Sequence, residues 1–198
     1  MKKGKTFIIS GPSGVGKGTI VKALMEARPD IFLSVSATTR EPRKGERDGV
    51  HYHFIDAARF RALIEEDAFL EYAEYVGNFY GTPKKFVDDA MEEGRDVILE
   101  IDVQGATQVS AKRPDAITIF VVPPSWEALE QRLRDRGTDS EEKLQKRLVR
   151  AKVELQAAAS YQYMVINDTV EEAVREVSAI MLAEHCRPGE RMQLLSEA

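Results

Sequence analysis

The chain has 198 residues, enough to bury one good hydrophobic core with small subdomains inserted into it. A formal net charge of −5 and a pI near 5.4 argue against a dedicated nucleic-acid-binding role, which would want a basic face. The single cysteine, Cys186, excludes an internal disulfide and a multi-cysteine metal site, fits a reducing compartment and reads as a buried or incidental thiol.

Met1-Lys2-Lys3 starts like a signal peptide, but the apolar run after it is too short for an h-region, and no stretch approaches membrane-spanning length. A cytoplasmic location without membrane or nucleic-acid partners is expected. Phe7-Ile8-Ile9 is an apolar run that reads as a buried strand. Gly11-Pro12-Ser13-Gly14-Val15-Gly16-Lys17 follows it, and a helical pattern over about 17–27 puts Ile20, Val21 and Leu24 on one face. Strand, glycine-rich loop and helix in this order are the context of a phosphate-binding P-loop. The glycines let successive N–H groups turn inward around polyphosphate oxygens, the helix N-terminus adds favourable potential, and Lys17 reaches the outer phosphates. The chain is therefore expected to bind a nucleoside triphosphate. The usual pattern has Ser or Thr directly after the lysine to ligate magnesium. Here Gly18 takes that place and Thr19 follows, so the metal would rely on phosphate oxygens, water, Thr19 or an acid elsewhere. Lys-Gly-Thr at this point resembles the nucleoside monophosphate kinases more than the GTPases or motor ATPases.

Residues 36–90 break the rhythm with short alternating stretches, a helix over 57–66, an aromatic-rich run from Phe69 to Tyr80 and a Gly77-Asn78 turn. Thr82 followed by Pro83 reads as the cap and first turn of a further helix near 83–93. The segment is expected to be an inserted, partly antiparallel subdomain. Val97 to Ile101 and Ile117 to Val122 are near-continuous apolar strands, with helical patterns around 104–112 and 125–135. In 126–159, Arg132, Arg136, Arg147 and Arg150 surround Gly137-Thr138-Asp139-Ser140, which suggests a mobile helix–loop–helix flap. Met164-Val165-Ile166 is a fourth, shorter strand, and 170–184 carries one apolar stripe from Val170 to Met181. Arg187-Pro188-Gly189 ends that helix. The alternation implies an α/β fold, a P-loop parallel sheet core flanked by helices. The expected division is a core of 1–35, 91–125 and 160–198, a nucleotide-binding subdomain of 36–90 and a helical lid of 126–159.

Arg40 and Arg43 supply planar forks suited to a phosphate, with a tight turn between them aiming both one way, and Tyr52 and Tyr80 offer neutral hydrogen bonds to the same anion. An isolated arginine pair in a polar loop would be a solvated surface; the P-loop and the two tyrosines argue otherwise. His51 and His53 alternate around Tyr52 and read as strand residues. Glu100 and Asp102 close the strand beginning at Val97, and alternation puts both on one face.

The runs Ser36 to Glu46, Gly49 to Phe54, Phe69 to Ala73, Gly77 to Thr82 and Glu100 to Gly105, in this order and together with the P-loop, resemble the guanylate kinase family from residue 6 to about 185. The resemblance implies that Gly11, Pro12, Ser13, Gly14, Val15, Gly16, Lys17, Gly18 and Thr19 bind ATP, with Arg132, Arg136 and Arg147 meeting the donor phosphates and Asn167 near the adenine. Arg150 has no such match and reads as solvated. It implies that Arg40, Arg43, Tyr52 and Tyr80 bind the phosphate of GMP or dGMP. Guanine presents N1–H and an N2 amino group as adjacent donors and O6 as an acceptor. Glu71 is the candidate carboxylate for both donors, Ser36 and Thr82 the candidate hydroxyls, and Asp102 a second acceptor. Adenine, with an acceptor at N1, would face Glu71 with a lone pair. The family often has Ser where this chain has Thr82. Glu100 is assigned to the shell of a Mg2+ ion, through water. The implied reaction is in-line transfer of the ATP γ-phosphoryl group to GMP, giving ADP and GDP, with Lys17, Arg40, Arg136 and Arg147 as the charges that carry it. Two alternatives stay open: a related P-loop small-molecule kinase, which would not need Glu71, Ser36 and Thr82 together, and a guanylate-kinase-like protein-binding module, which typically lacks a working P-loop. Oligomeric state stays open as well, between monomer and homodimer.

Overall fold

The apolar runs become strands and the 3.6-residue stripes become helices in a computed structural model that describes residues 3–135, 140–188 and 192. In chain order the elements are β1 (Thr6–Ser10), α1 (Lys17–Ala27), β2 (Phe32–Leu33), β3 (Ala37–Thr38), β4 (His53–Phe54), α2 (Ala57–Glu65), β5 (Phe69–Tyr75), β6 (Asn78–Pro83), α3 (Lys84–Glu92), β7 (Val97–Glu100), α4 (Val103–Lys112), β8 (Ile117–Val122), α5 (Trp126–Asp135), α6 (Glu141–Gln156), β9 (Tyr163–Ile166) and α7 (Val170–His185). The fold is α/β, with parallel strands flanked by helices and a separate mixed sheet. Two compact units form, one from Met1–Ser10 and Arg28–Thr118, the other from Gly11–Ala27 and Ile119–Ala198. Among the described residues no helix is long and apolar enough to cross a membrane.

In the first unit β2, β7 and β1 lie side by side and parallel, with Phe32 opposite Val97 and Ile8 opposite Leu99. Phe7, Ile8, Ile9, Val97, Ile98 and Leu99 are fully buried. Strands covered on both faces need no polar alternation, which is why they read as unbroken apolar runs. The mixed sheet runs β4-β3-β6-β5, parallel between β3 and β4 and antiparallel elsewhere. Its small core is Ala37, Phe60 and Phe69, with Phe60 stacked on Phe69 at 4.5 Å between ring centres.

Two local expectations change here. The hairpin turn is Val76-Gly77, and Asn78 already belongs to β6, opposite Tyr75. Both turn residues have positive φ, 50° at Val76 and 73° at Gly77, the pattern of a type I′ turn whose twist suits the strands. A β-branched, exposed valine in that region is strained. Val76→Asn is therefore expected to stabilise the chain by about 1 kcal/mol, read as a higher midpoint in urea with unchanged slope; a lower midpoint would refute the strain. The second change concerns α3, whose N-cap is Pro83, extended at φ −66° and ψ 128° with no side-chain cap bond. Thr82 does not cap the helix because β6 continues through it and its hydroxyl is engaged across the strand pair.

In the second unit β8 and β9 pair in parallel, with Val121 opposite Val165. Helix α7 turns Ala173, Val177 and Met181 inward, and α1 packs against it. Helices α5 and α6 share a cluster of Leu129, Leu133, Leu144, Leu148 and Ala151, closed by Trp126. Ser140 caps α6, accepting from the Lys143 N–H. Cys186 is exposed at the C-cap of α7, beyond the apolar stripe, and is not a buried thiol.

Candidate functional site

The P-loop leaves β1 and wraps back onto its own helix. Gly11, Gly14 and Gly16 have φ of 148°, 89° and 96°, conformations closed to side-chain-bearing residues without strain. A Cβ at Gly16 would also lie 2.4 Å from the Asn167 side-chain nitrogen. That asparagine, 4% exposed, donates from Nδ2 to the Val15 carbonyl at 2.7 Å and from its backbone N–H to Val122 at 2.8 Å. Its own carbonyl accepts from Arg132 Nη2 at 2.9 Å, and Arg132 Nη1 reaches the Val15 carbonyl at 3.5 Å. Asn167 and Arg132 thus brace the back of the loop. Lys17 Nζ lies over the loop's start, donating to the carbonyls of Gly11 at 2.6 Å and Pro12 at 3.3 Å.

Helix α6 meets the same loop. Arg147 Nη2 donates to Ser13 Oγ at 2.8 Å, and the Ser13 N–H donates to Glu154 Oε2 at 3.3 Å. Arg150 Nε holds the other carboxylate oxygen of Glu154 at 2.7 Å. Glu154 was not singled out from sequence; its signal was the spacing of seven from Arg147 and four from Arg150 on one helical face. Arg136 lies outside the described residues. Gly18 and Thr19 open α1 and are exposed.

In the mixed sheet, Glu71 and Thr82 face each other across the β5–β6 pair, and both are buried, 8% and 1% exposed. Thr82 Oγ1 donates to Glu71 Oε1 at 2.6 Å. Burial pushes the Glu71 carboxyl up from its ordinary range; the Thr82 bond opposes this and the Asp102 carboxylate adds to it. Asp102 does not share a strand face with Glu100. The strand ends at Glu100, and Asp102 caps α4, its Oδ1 accepting from the Gly105 N–H at 2.8 Å. Ser36 lies just before β3, its carbonyl accepting from the His53 N–H.

Arg40, Tyr52 and Tyr80 come together. The Arg40 guanidinium lies 5.4 Å over the Tyr52 ring, Tyr80 is a hydrogen-bonding partner of Arg40, and the two tyrosine rings meet edge-on at 6.0 Å. Burial pushes the Tyr52 phenol up, so it stays a neutral donor. Arg43 is exposed on the same loop. The tight turn falls at Lys44-Gly45, after both arginines rather than between them, and closes with the Glu46 N–H on the Arg43 carbonyl at 3.0 Å. Glu46 is a second residue unassigned from sequence: Oε1 accepts from Arg40 Nη2 at 2.9 Å and Oε2 from the Arg43 N–H at 2.7 Å. The Arg40 guanidinium, then the Arg43 N–H, hold the Glu46 carboxyl below its usual range. His53, in β4, stacks on Phe86 of α3, and His51 Nδ1 accepts from the Arg47 N–H.

Among the described residues, no group of three or more His, Cys, Asp or Glu side chains is gathered to hold a metal. Glu100 is exposed at the end of β7.

Residues 3–184 match the family model described as guanylate kinase. The chain is 52% identical over 196 residues to a guanylate kinase of Clostridium perfringens, covering 99% of this chain and 91% of that one. It is 53% identical over 186 residues to a guanylate kinase of Caldanaerobacter subterraneus, covering 94% and 90%. The crystal structure of guanylate kinase from Anaplasma phagocytophilum superposes with a TM-score of 0.74 at 35% identity, covering 94% of this chain and 88% of that one.

Proposed function

The chain belongs to the guanylate kinase family, and from that premise we propose that it transfers the γ-phosphoryl group of ATP to GMP, giving ADP and GDP. The observation that carries the acceptor assignment is the buried Glu71 carboxylate held by Thr82 with Asp102 nearby. One ionised carboxylate accepts both guanine N1–H and N2–H, and a neighbouring hydroxyl such as Ser36 or Thr82 serves O6. Arg40, Tyr52 and Tyr80 form a second, phosphate-directed cluster, which Arg43 joins from its loop.

An acceptor phosphate oxygen is already largely anionic near neutral pH, since its second pKa is about 6, so no strong general base is required. The work left to the protein is alignment and charge stabilisation. Backbone N–H groups of residues 11–19 cradle the donor phosphates, Lys17 leaves the Gly11 and Pro12 carbonyls to meet the outer ones, and Arg132, Arg136 and Arg147 neutralise the charge that develops on transfer. A Mg2+ ion arriving with ATP would supply further neutralisation of the β- and γ-phosphates. Glu100, through water, and Thr19 are the residues that would hold it, in place of the hydroxyl that Gly18 lacks. Asn167, locked to Val15, is assigned to the edge of the adenine site. Segments 36–90 and 126–159 act as the acceptor-binding subdomain and the lid on a core of 1–35, 91–125 and 160–198, closing to exclude water that would hydrolyse ATP. A cytoplasmic location follows from these substrates.

A coupled ADP-release assay with GMP, dGMP, AMP, UMP and ribose phosphates tests the reading. GMP is expected to be preferred over AMP by roughly 10⁴-fold or more in kcat/KM, as for sites built to pair specific donors. Equal rates with AMP and GMP would overturn it.

A further inference from the structure

We propose that Gln108 and Gly105, on one face of α4, are positioning residues that set the Glu71 carboxylate for the purine base; the inference rests on the guanine reading above. Strand β5 is an edge of the mixed sheet, so among the described residues its outer backbone groups have no strand partner. The Gln108 side chain takes that role. Its Oε1 accepts from the Tyr72 N–H at 3.2 Å and its Nε2 donates to the Tyr72 carbonyl at 3.1 Å, pairing both groups of the residue next to Glu71. One turn earlier on the helix, a Cβ at Gly105 would stand 3.0 Å from Glu71 Oε2 and 3.4 Å from its carboxyl carbon. One turn later, Lys112 Nζ donates to the Phe69 carbonyl at 2.8 Å. Spacings of three and four put positions 105, 108 and 112 on a single helical stripe running along the strand edge.

The strand needs this brace because its ladder is irregular at that point. Phe69 pairs with Pro83 and Glu71 with Thr82, which leaves Leu70 as an extra residue on β5. Such a bulge re-aims the next side chain and weakens local pairing. Thr82 fixes Glu71 Oε1, the bare Gly105 backbone bounds Oε2, and Gln108 holds the main chain between them. Asp102, tied to the Gly105 N–H, is carried on the same helix, so docking of α4 sets the two acidic groups relative to each other. Gln108 bonds the main chain of Tyr72 and so acts through its neighbour Glu71.

The test is steady-state kinetics of Gln108→Ala, Gln108→Met and Gly105→Ala with GMP and ATP varied separately, alongside thermal unfolding and Glu71→Gln. Each variant is expected to raise KM for GMP about tenfold, the scale of one misaligned hydrogen bond to a charged group, with KM for ATP and kcat at saturating GMP unchanged. Gln108→Met keeps the stem and loses both bonds, so it separates pairing from packing. Gly105→Ala removes no hydrogen bond and places a better helix former, so a raised KM for GMP without a lower Tm reports displacement of Glu71 rather than a loosened fold. Unchanged KM for GMP in the Gln108 variants, or a rise shared equally by ATP, would overturn the proposal. If the unaltered enzyme prefers GMP and Glu71→Gln loses that preference while the α4 variants keep it, only this inference fails. If the unaltered enzyme does not distinguish GMP from AMP, the guanine reading fails and this inference with it.

Discussion

Lys17→Ala is expected to lower kcat roughly 10²–10³-fold or more while changing KM for GMP little. The lysine is the one P-loop side chain that carries full charge to the phosphates, and phosphoryl transfer leaves the protein little to do beyond positioning and neutralising charge. Its ammonium now rests on the carbonyls of Gly11 and Pro12, so the substitution also removes a tie across the mouth of the loop. Lys17→Met restores the stem without the charge. Both variants should therefore fall together in single-turnover measurements, and a methionine variant with near-normal kcat would reassign the lysine to loop structure alone.

Glu71→Gln should cut kcat/KM for GMP about 10²- to 10⁴-fold, since two hydrogen bonds to a charged acceptor are worth about 1.5–3 kcal/mol each. KM for ATP should not move. The pH dependence has a fixed sign. The carboxyl is raised above its ordinary 4.5, first by burial, so GMP use fails on acidification at a higher pH than an exposed carboxylate would allow. The variant lacks this limb while keeping the titration of GMP's own phosphate. In the ligand-free chain the ionised form is the costly one: stability is greatest below the unfolded pKa and falls as pH rises towards the folded one. At neutral pH the glutamine variant should therefore be more stable, by about 1 kcal/mol, a usual gain where function holds a strained group. That gain should vanish below the ordinary carboxylate range. A variant with normal kcat/KM for GMP would remove Glu71 from the base.

Much of this was legible in the sequence because the signals are local. β1, the P-loop and α1 sit within 22 consecutive positions, and β8 ends where its apolar run ends. Arg40, Tyr52 and Tyr80 were readable as one cluster only by company, since 40 residues separate the ends of the set. What stayed hidden depends on side chains reaching across the fold. Glu46 looks like one more surface acid until its two oxygens are seen on Arg40 and the Arg43 backbone. Gln108 is an ordinary helix residue until β5 arrives 36 positions away to meet it. Thr82 reads as a cap because Thr-Pro before a helix is a common start, but strand pairing to Glu71 outcompetes it. Gly77-Asn78 is the more familiar turn pair, but the strand register needs Asn78 opposite Tyr75 and puts the turn at Val76-Gly77.

Glu154 gives the resting P-loop an anion of its own. On the proposed reading, incoming nucleotide does not fill a bare cradle; it exchanges with a tethered carboxylate that already accepts the Ser13 amide. The swap would keep the Ser13 amide paired before and after nucleotide binding. A departing diphosphate would, in turn, leave the Ser13 amide to a carboxylate carried on the same helix as Arg147.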